Sequence, residues 1–398
     1  MEIGHLQRIG LLASAPLGQA AGASQPATRT MAPHQVIIDG RLRYSPIDGA
    51  VELPTIDRNS QALAQHLRRP LVKKCPDSQL SVVSFNMLLK GFDRKFYYPS
   101  VGPELRAWAW RKEQLQRLLV GLDADIYCMQ EVECSSFSSE MYPWLSDSGY
   151  SSVDPKDDAK GKHPDIAKTA IFYKRELLQK VWEDHRSRVV LAAFQHLPSS
   201  KLLYVASCHL EGAPWEAATR LTQCRKALES IARHQKTVDV DPQRCILFFA
   251  GDFNETENDA VCQCLASGGL QKEFRASSLP DLEITKTDFN HPFALRDLYS
   301  SESMQWTDRP ATFCAPPEDS AAWGNSTAFA AVDFLYYSNR TLRPVGVRQP
   351  FSLEQLKATE GVGIPSAWHF SDHVPMGGVF DFRDDSTDLG THDVVAII

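Results

Sequence analysis

Eight polar side chains stand where apolar runs end or are interrupted: Asn86, Glu131, His209, Asp252, Asn254, Asp333, Asp372 and His373. Their chemical types are the parts that hydrolysis of a phosphate ester requires. Acids and amides offer oxygen ligands to a hard divalent cation, an acid orients or deprotonates water, and imidazoles and amides donate to the charge that develops on phosphorus. Glu131 is the first candidate ligand, with Asn86 beside it on a neighbouring strand; the competing reading is an edge-strand acid facing solvent. Gly251-Asp252-Phe253-Asn254 follows a wholly apolar run. Its glycine permits a tight turn and sets Asp252 and Asn254 two residues apart on one side, an anionic acceptor suited to a water next to a neutral donor suited to a phosphoryl oxygen. Ser371-Asp372-His373 puts a carboxylate beside an imidazole, a dipeptide that by itself is common on protein surfaces. Asp333 changes that reading, because an acid in an apolar run needs a donor and His373 supplies one; the pair would hold a cationic imidazole toward phosphate.

The elements that must position these residues follow from hydrophobic periodicity. Residues 80–86, 126–131, 202–208, 245–250 and 332–337 are apolar runs of strand length, and 374–382 is a final strand. Pro103 opens a helical segment with Leu115, Leu118, Leu119 and Leu122 at spacings of three and four, closed at Asp123. A second helix is expected over 215–233. Strands covered on an outer face by helices make an α/β fold whose ligand groups collect at strand ends. Each strand here delivers a polar group that is costly to bury, which implies one shared site. The stretch 271–331 is poorer in apolar runs and richer in Pro, Ser and Asp, so loops are expected there.

The whole chain bounds these readings. Its 398 residues, 43% apolar and 23% charged, suit one large core plus an extension. The expected division is an N-terminal extension at 1–75, a catalytic domain at 76–383 and a tail at 384–398. The extension holds a strand over 35–38, a helix near 60–68 and a basic run of Arg68, Arg69, Lys73 and Lys74. The formal charge of −7 identifies no partner. No window has the roughly 18 unbroken apolar residues of a membrane helix, so no membrane partner is expected. Nine cysteines without CxxC spacing suggest free thiols in a reducing compartment, which places the chain in the cytoplasm. Residues 1–33, with two arginines and Glu2 as the single acid, have loosely the composition of an organellar transit peptide but a poor helical pattern, and read as a disordered leader. Oligomeric state is left open.

Taken in order, Ser84-Phe85-Asn86, Gln130-Glu131-Val132, His209-Leu210, Gly251-Asp252-Phe253-Asn254, Val332-Asp333-Phe334 and Ser371-Asp372-His373 resemble the endonuclease/exonuclease/phosphatase superfamily over residues 80–383. The resemblance implies a four-layer α/β sandwich, two central mixed sheets flanked by helices. It implies a magnesium-dependent phosphodiesterase, with manganese as an alternative cation. Glu131 becomes a metal ligand with Asn86 and Asp372 nearby. Asp252 orients or deprotonates water, Asn254 holds phosphate, His373 backed by Asp333 stabilises the phosphorane, and His209 is a second catalytic imidazole. Trp110-Arg111, Gln130-Glu131-Val132-Glu133, Arg220, Gln223 and Ile364-Pro365-Ser366 resemble the deadenylase-like branch, with nocturnin, the exonuclease subunit of the Ccr4-Not complex, and the Angel and 2′,5′-phosphodiesterase groups. That branch implies a 3′-5′ exoribonuclease acting on single-stranded RNA or a nucleotide, with Arg220 binding substrate and Phe313, Trp215 and Trp323 as base-stacking candidates.

One departure stands out. Relatives carry an acid and a Gly before an Ala-Ile-Phe-aromatic strand, whereas Ala167-Lys168-Thr169 precedes Ala170-Ile171-Phe172-Tyr173 here. Asp165 is the nearest carboxylate able to orient His209. Competing readings are a phosphatase or 2′,5′-phosphodiesterase acting on small nucleotides, an abasic-site DNA endonuclease, and an inert scaffold of the same fold. Retention of all the main acids and amides disfavours the scaffold. The inositol-polyphosphate phosphatase branch would want a Trp where Phe249 stands and an Arg where Phe334 stands.

Overall fold

The computed structural model describes residues 58–93, 98, 101–134, 137–154, 167–276, 278–300, 309–314, 329–352, 354–355 and 364–383, with the backbone of 35–38, 41–44, 51–52 and 396–397. The leader at 1–33, Asp165 and Trp323 lie outside the described residues, as does the tail at 384–398 apart from the strand Ala396–Ile397. No helix among the described residues is long and apolar enough to cross a membrane.

In chain order the helices that matter are α1 (Arg58–Leu67), α2 (Pro103–Arg106), α3 (Trp108–Leu122), α4 (Tyr142–Asp147), α5 (Ala217–Thr237) and α6 (Ala260–Ser267). The single helix expected from Pro103 to Asp123 is two, because Ala107 is extended (φ −57°, ψ 126°) and its N–H closes α2 on the Pro103 carbonyl. Asp123, in the left-handed region at φ 48°, ends α3 where the sequence reading placed the stop. The strands are β1 (Gln79–Asn86), β2 (Ile126–Glu133), β3 (Tyr150–Val153), β4 (Ala167–Lys174), β5 (Leu178–Arg186), β6 (Val189–His196), β7 (Leu202–His209), β8 (Ile246–Asp252), β9 (Leu295–Asp297), β10 (Asp333–Ser338), β11 (Leu342–Val347) and β12 (Met376–Phe382).

They form two mixed sheets. One runs β11-β12-β1-β2-β4-β3, with Ala396–Ile397 at the β11 edge; the other runs β9-β10-β8-β7-β6-β5. All strand pairs named here are antiparallel except β1 with β2, β7 with β8, and the Ala396–Ile397 edge. Parallel neighbours need a crossover, and α3 and α5 lie in the two connections.

Strand alternation sorts the apolar side chains into layers. Leu80 and Val82 of β1 meet Ile246 and Phe248 of β8 between the sheets, in one continuous cluster with Phe194, Leu203 and Val205. Their neighbours Val83 and Phe85 face outward under Leu115, Leu118 and Leu119 of α3, and Leu63 and Leu67 of α1 join that same layer. On the far side, Leu247 and Phe249 pack under Leu221, Leu228 and Ile231 of α5 and Val261 and Leu265 of α6. The order is helix, sheet, sheet, helix, a four-layer α/β sandwich. At roughly 1.5–3 kcal/mol for each fully buried aliphatic or aromatic side chain, these layers are what holds the sheets face to face.

Candidate active site

Both parallel pairs end at the same edge of the sandwich, and the register decides what meets there. His209 is the β7 partner of Asp252 on β8, and Asp252 is in turn the partner of Asp333 on β10. On the other sheet Asn86 ends β1. Glu131 sits at a register shift between Met129 and Val132 in β2, with φ 59°. That left-handed residue breaks the alternation and turns its carboxylate toward Asn86. Gly251 lies inside β8 just before Asp252 at φ 151°, with the Cys208 carbonyl only 1.9 Å from where a β-carbon would stand.

The side chains converge across the gap between the sheets. Asn86 Nδ2 donates to Glu131 Oε1 and to Asp252 Oδ2, both at 3.1 Å, and lies 3.4 Å from His373 Nε2. Its Oδ1 accepts the Leu88 N–H at 3.1 Å, and Glu131 Oε2 accepts the Leu89 N–H at 2.8 Å. His373 Nδ1 is 2.8 Å from Asp333 Oδ2, the partnership expected for an acid buried in β10. Its other nitrogen faces Asp252 Oδ2 at 3.7 Å, and His209 Nε2 faces the same oxygen at 3.6 Å. The Asn254 N–H donates to Asp252 Oδ1 at 2.9 Å; its side chain donates to the Leu210 carbonyl at 3.0 Å. Ser371 Oγ donates to the Asn86 carbonyl at 2.7 Å, tying the Asp372-His373 loop to β1.

Burial and neighbouring charge set these groups apart. Burial raises the Asp252 carboxyl to about 7; His373 opposes the shift and Asp333 adds to it. Burial likewise raises Glu131, and the charge of Asp372 raises it further. His373 is the reverse case: burial disfavours its charge, but Asp333, Asp372 and Asp252 together lift it well above the ordinary imidazole range, so it is a cation. His209 is pushed well below that range by burial, then by Arg188 and His373. Two imidazoles on one carboxylate thus hold opposite charge states, the separation that marks acid and base roles.

The donor set fits a hard divalent cation at Glu131 and Asp372. Both are carboxylates, and the charge of Asp372 raises the Glu131 carboxyl, a repulsion that a bound magnesium would relieve. A second cluster, Asp252, Asp333 and His373, has ligand atoms within 4.8 Å of one another. It is better understood as an imidazolium between two acids, since a protonated imidazole has no lone pair to give.

Two expectations fall differently. Arg220 is not brought to this cluster. It is buried under the 211–214 loop, donating to Glu255 Oε2 at 3.2 Å and to the carbonyls of Glu211, Ala213 and Pro214, so its guanidinium is taken up in holding that loop rather than facing substrate. His209 Nδ1 is buried without a hydrogen-bond partner among the described residues, consistent with the missing acid at 167–169. Of the stacking candidates, Phe313 lies with its ring 5.1 Å from that of His373, whereas Trp215 is 43% exposed in the short turn Pro214–Glu216 ahead of α5.

Three residues received no role from the sequence reading. Tyr98 donates to Asp372 Oδ2 at 2.5 Å, and burial with the Asp372 charge keeps its phenol protonated. Buried Arg111 donates to the carbonyls of Met87, Leu88, Leu89 and Phe370, clamping the loops after Asn86 and before Asp372 together. Thr312 Oγ1 accepts the Asp333 N–H at 3.0 Å and its carbonyl accepts the Val374 N–H at 2.8 Å, linking the two halves of the His373–Asp333 pair. Arg111 was noticed only as part of a motif; Tyr98 and Thr312 carried no spacing signal at all.

Comparison with known proteins follows the same outline. The CCR4-Not complex 3′-5′-exoribonuclease subunit Ccr4 of Kluyveromyces lactis is 23% identical over 381 residues, covering 86% of this chain and 46% of that protein. Its Saccharomyces cerevisiae counterpart is 23% identical over 366 residues, covering 82% and 41%. The chain thus spans less than half the length of these relatives. Among solved structures, ANGEL2, described as a 2′,3′-cyclic phosphatase, superposes with a TM-score of 0.63 at 19% identity, covering 77% of this chain and 96% of that one. The human Nocturnin catalytic domain gives 0.53 at 18%, covering 80% and 98%. The family model for the Endonuclease/Exonuclease/phosphatase family matches residues 83–373, a span that contains all eight converging residues and most of the chain; the protein belongs to that family.

Proposed function

We propose that the chain is a magnesium-dependent phosphodiesterase, a 3′-5′ exoribonuclease of the deadenylase-like kind acting on single-stranded RNA or a nucleotide end, with residues 76–383 as the catalytic domain. The observation that carries this reading is the meeting of Asn86, Glu131, Asp372 and His373 from one sheet with His209, Asp252, Asn254 and Asp333 from the other. The Ccr4 relatives support the choice of RNA. Manganese is an alternative cation, and a cytoplasmic placement agrees with the lack of any disulfide among the described cysteines.

Glu131 and Asp372, with Asn86 alongside, would hold a cation, which would supply Lewis-acid stabilisation of a phosphoryl oxygen. The rest falls to the chain. Asp252, with a carboxyl raised to about 7, is placed to orient a water and accept its proton. Asn86 and the Asn254 N–H fix that carboxylate from two sides. His373, charged and held by Asp333 through Nδ1, turns Nε2 toward the developing negative charge. Neutral His209 offers a donor beside it, and Phe313 offers a ring to the terminal base.

The test is hydrolysis, with magnesium, of oligo(A) RNA, mixed-sequence RNA, 2′,5′-linked oligoadenylate, abasic DNA and a 2′-phosphorylated dinucleotide. Oligo(A) or mixed RNA with a free 3′ end should be shortened stepwise. Preference for the dinucleotide or the 2′,5′ linkage would move the reading to a small-nucleotide phosphatase or phosphodiesterase, and cleavage of abasic DNA alone to an endonuclease. No turnover of any substrate with either cation would leave the inert scaffold. Glu131→Gln should shift the magnesium requirement upward; an unchanged titration would remove Glu131 from the ligand set.

A further inference from the structure

We propose that Tyr98 is a positioning residue for Asp372, fixing which of its oxygens is offered to a divalent cation; the inference rests on the metal reading above. The Tyr98 side chain is buried in a small apolar cluster of its own with Leu88 and Val101, against which Leu105 packs. Its backbone is anchored as well. The Val101 N–H donates to the Tyr98 carbonyl at 3.2 Å, and Arg106 Nε of α2 donates to the Val101 carbonyl at 2.9 Å. The hydroxyl therefore arrives at Asp372 from a held ring, not from a mobile side chain. It donates to Oδ2 at 2.5 Å, the short end of charge-assisted O–H···O⁻ bonds.

The two Asp372 oxygens are treated unequally. Oδ2 is taken by the phenol, whereas among the described residues Oδ1 has only Ser371 Oγ at 3.5 Å, and that hydroxyl is already committed to the Asn86 carbonyl at 2.7 Å. Oδ1 is left as the available ligand atom. A neutral phenol also suits this task better than a cationic donor: lysine or arginine in its place would compensate the carboxylate charge and compete with the metal, whereas a phenol fixes the rotamer and leaves the net charge at −1. Leu88 ties the device to the neighbouring ligands, because it packs on Tyr98 and gives its N–H to Asn86.

The experiment measures manganese binding to the full-length protein without substrate, by calorimetry or by the loss of free-ion paramagnetic signal. Wild type, Tyr98→Phe and Asp372→Asn are compared, with the melting temperature of each metal-free protein alongside. Tyr98→Phe keeps the ring and its packing and removes only the O–H. Its manganese dissociation constant should rise about tenfold, as when a group that orients a metal ligand is removed. KM for RNA at saturating manganese should stay unchanged. Wild-type manganese affinity in Tyr98→Phe, with wild type binding and Asp372→Asn not, overturns the positioning role and leaves the metal reading intact. Failure of wild type itself to bind manganese overturns both.

Discussion

Asp252 is the side chain with the most constraints on it: a backbone N–H on one oxygen, the Asn86 amide on the other, and two imidazoles facing that second oxygen. Its replacement by Ala should lower kcat/KM by about a hundredfold or more with little change in melting temperature, in line with loss of a positioned base. Near-normal turnover would remove it from that role. Its titration gives a second readout. The folded carboxyl is raised to about 7, so it is protonated and inert as a base below that pH, and activity should climb as pH rises through about 7. The climb should vanish in whatever activity Asp252→Asn retains; an unchanged pH profile in that variant would assign the limb to another group. Phe313 bears on substrate choice. Phe313→Ala should raise KM for oligo(A) several-fold, since stacking of one base on an aromatic ring contributes about 1–3 kcal/mol. Equal KM values would remove the ring from the binding surface.

At the level of elements, the strands that deliver chemistry were the most legible. β7 and the end of β8 coincide with apolar runs that stop at His209 and Asp252, because strands buried on both faces write a continuous apolar signal. β5 gave no such signal. It is an edge strand exposed at Gln179, Lys180, Val181 and Glu183, with a register shift between Lys180 and Trp182 that breaks the alternation, so periodicity cannot tell it from a polar loop. The core of the site was legible for the same reason, since each acid or imidazole closes a run. Arg220 lies away from the cluster, and a buried arginine that braces a loop and an exposed one that meets phosphate look alike in sequence. Two tests belong here. Gly251→Ala should prevent folding or cost several kcal/mol, because a β-carbon would overlap the Cys208 carbonyl on β7. Arg111→Met should lower unfolding free energy by about 3 kcal/mol, measured by urea, by orphaning buried carbonyls on two loops. A loss below about 1 kcal/mol would mean that water replaces the clamp.

For the whole molecule, the path of the chain through the sheets matters more than any one contact. β5 to β10, which fall between residues 178 and 338, all belong to one sheet, with two short two-stranded pairings set within that stretch, while the other sheet is assembled from the segments before and after it. β12, the last strand before residue 383, inserts beside β1, the first of its sheet, and the Asp372-His373 dipeptide arrives just ahead of it. A protein ended at residue 371 should therefore lose both cooperative unfolding and hydrolysis, not hydrolysis alone; retention of a sharp melting transition would show that the sheet closes without β12. The same path carries a consequence for synthesis. A ribosome releases a chain from its N-terminus, so Asn86 and Glu131 emerge well before Asp372 and His373, and the gap at the centre of their sheet stays open until Met376–Phe382 has emerged. Until then Asn86 and Glu131 stand without the Asp372 and His373 that complete the cluster.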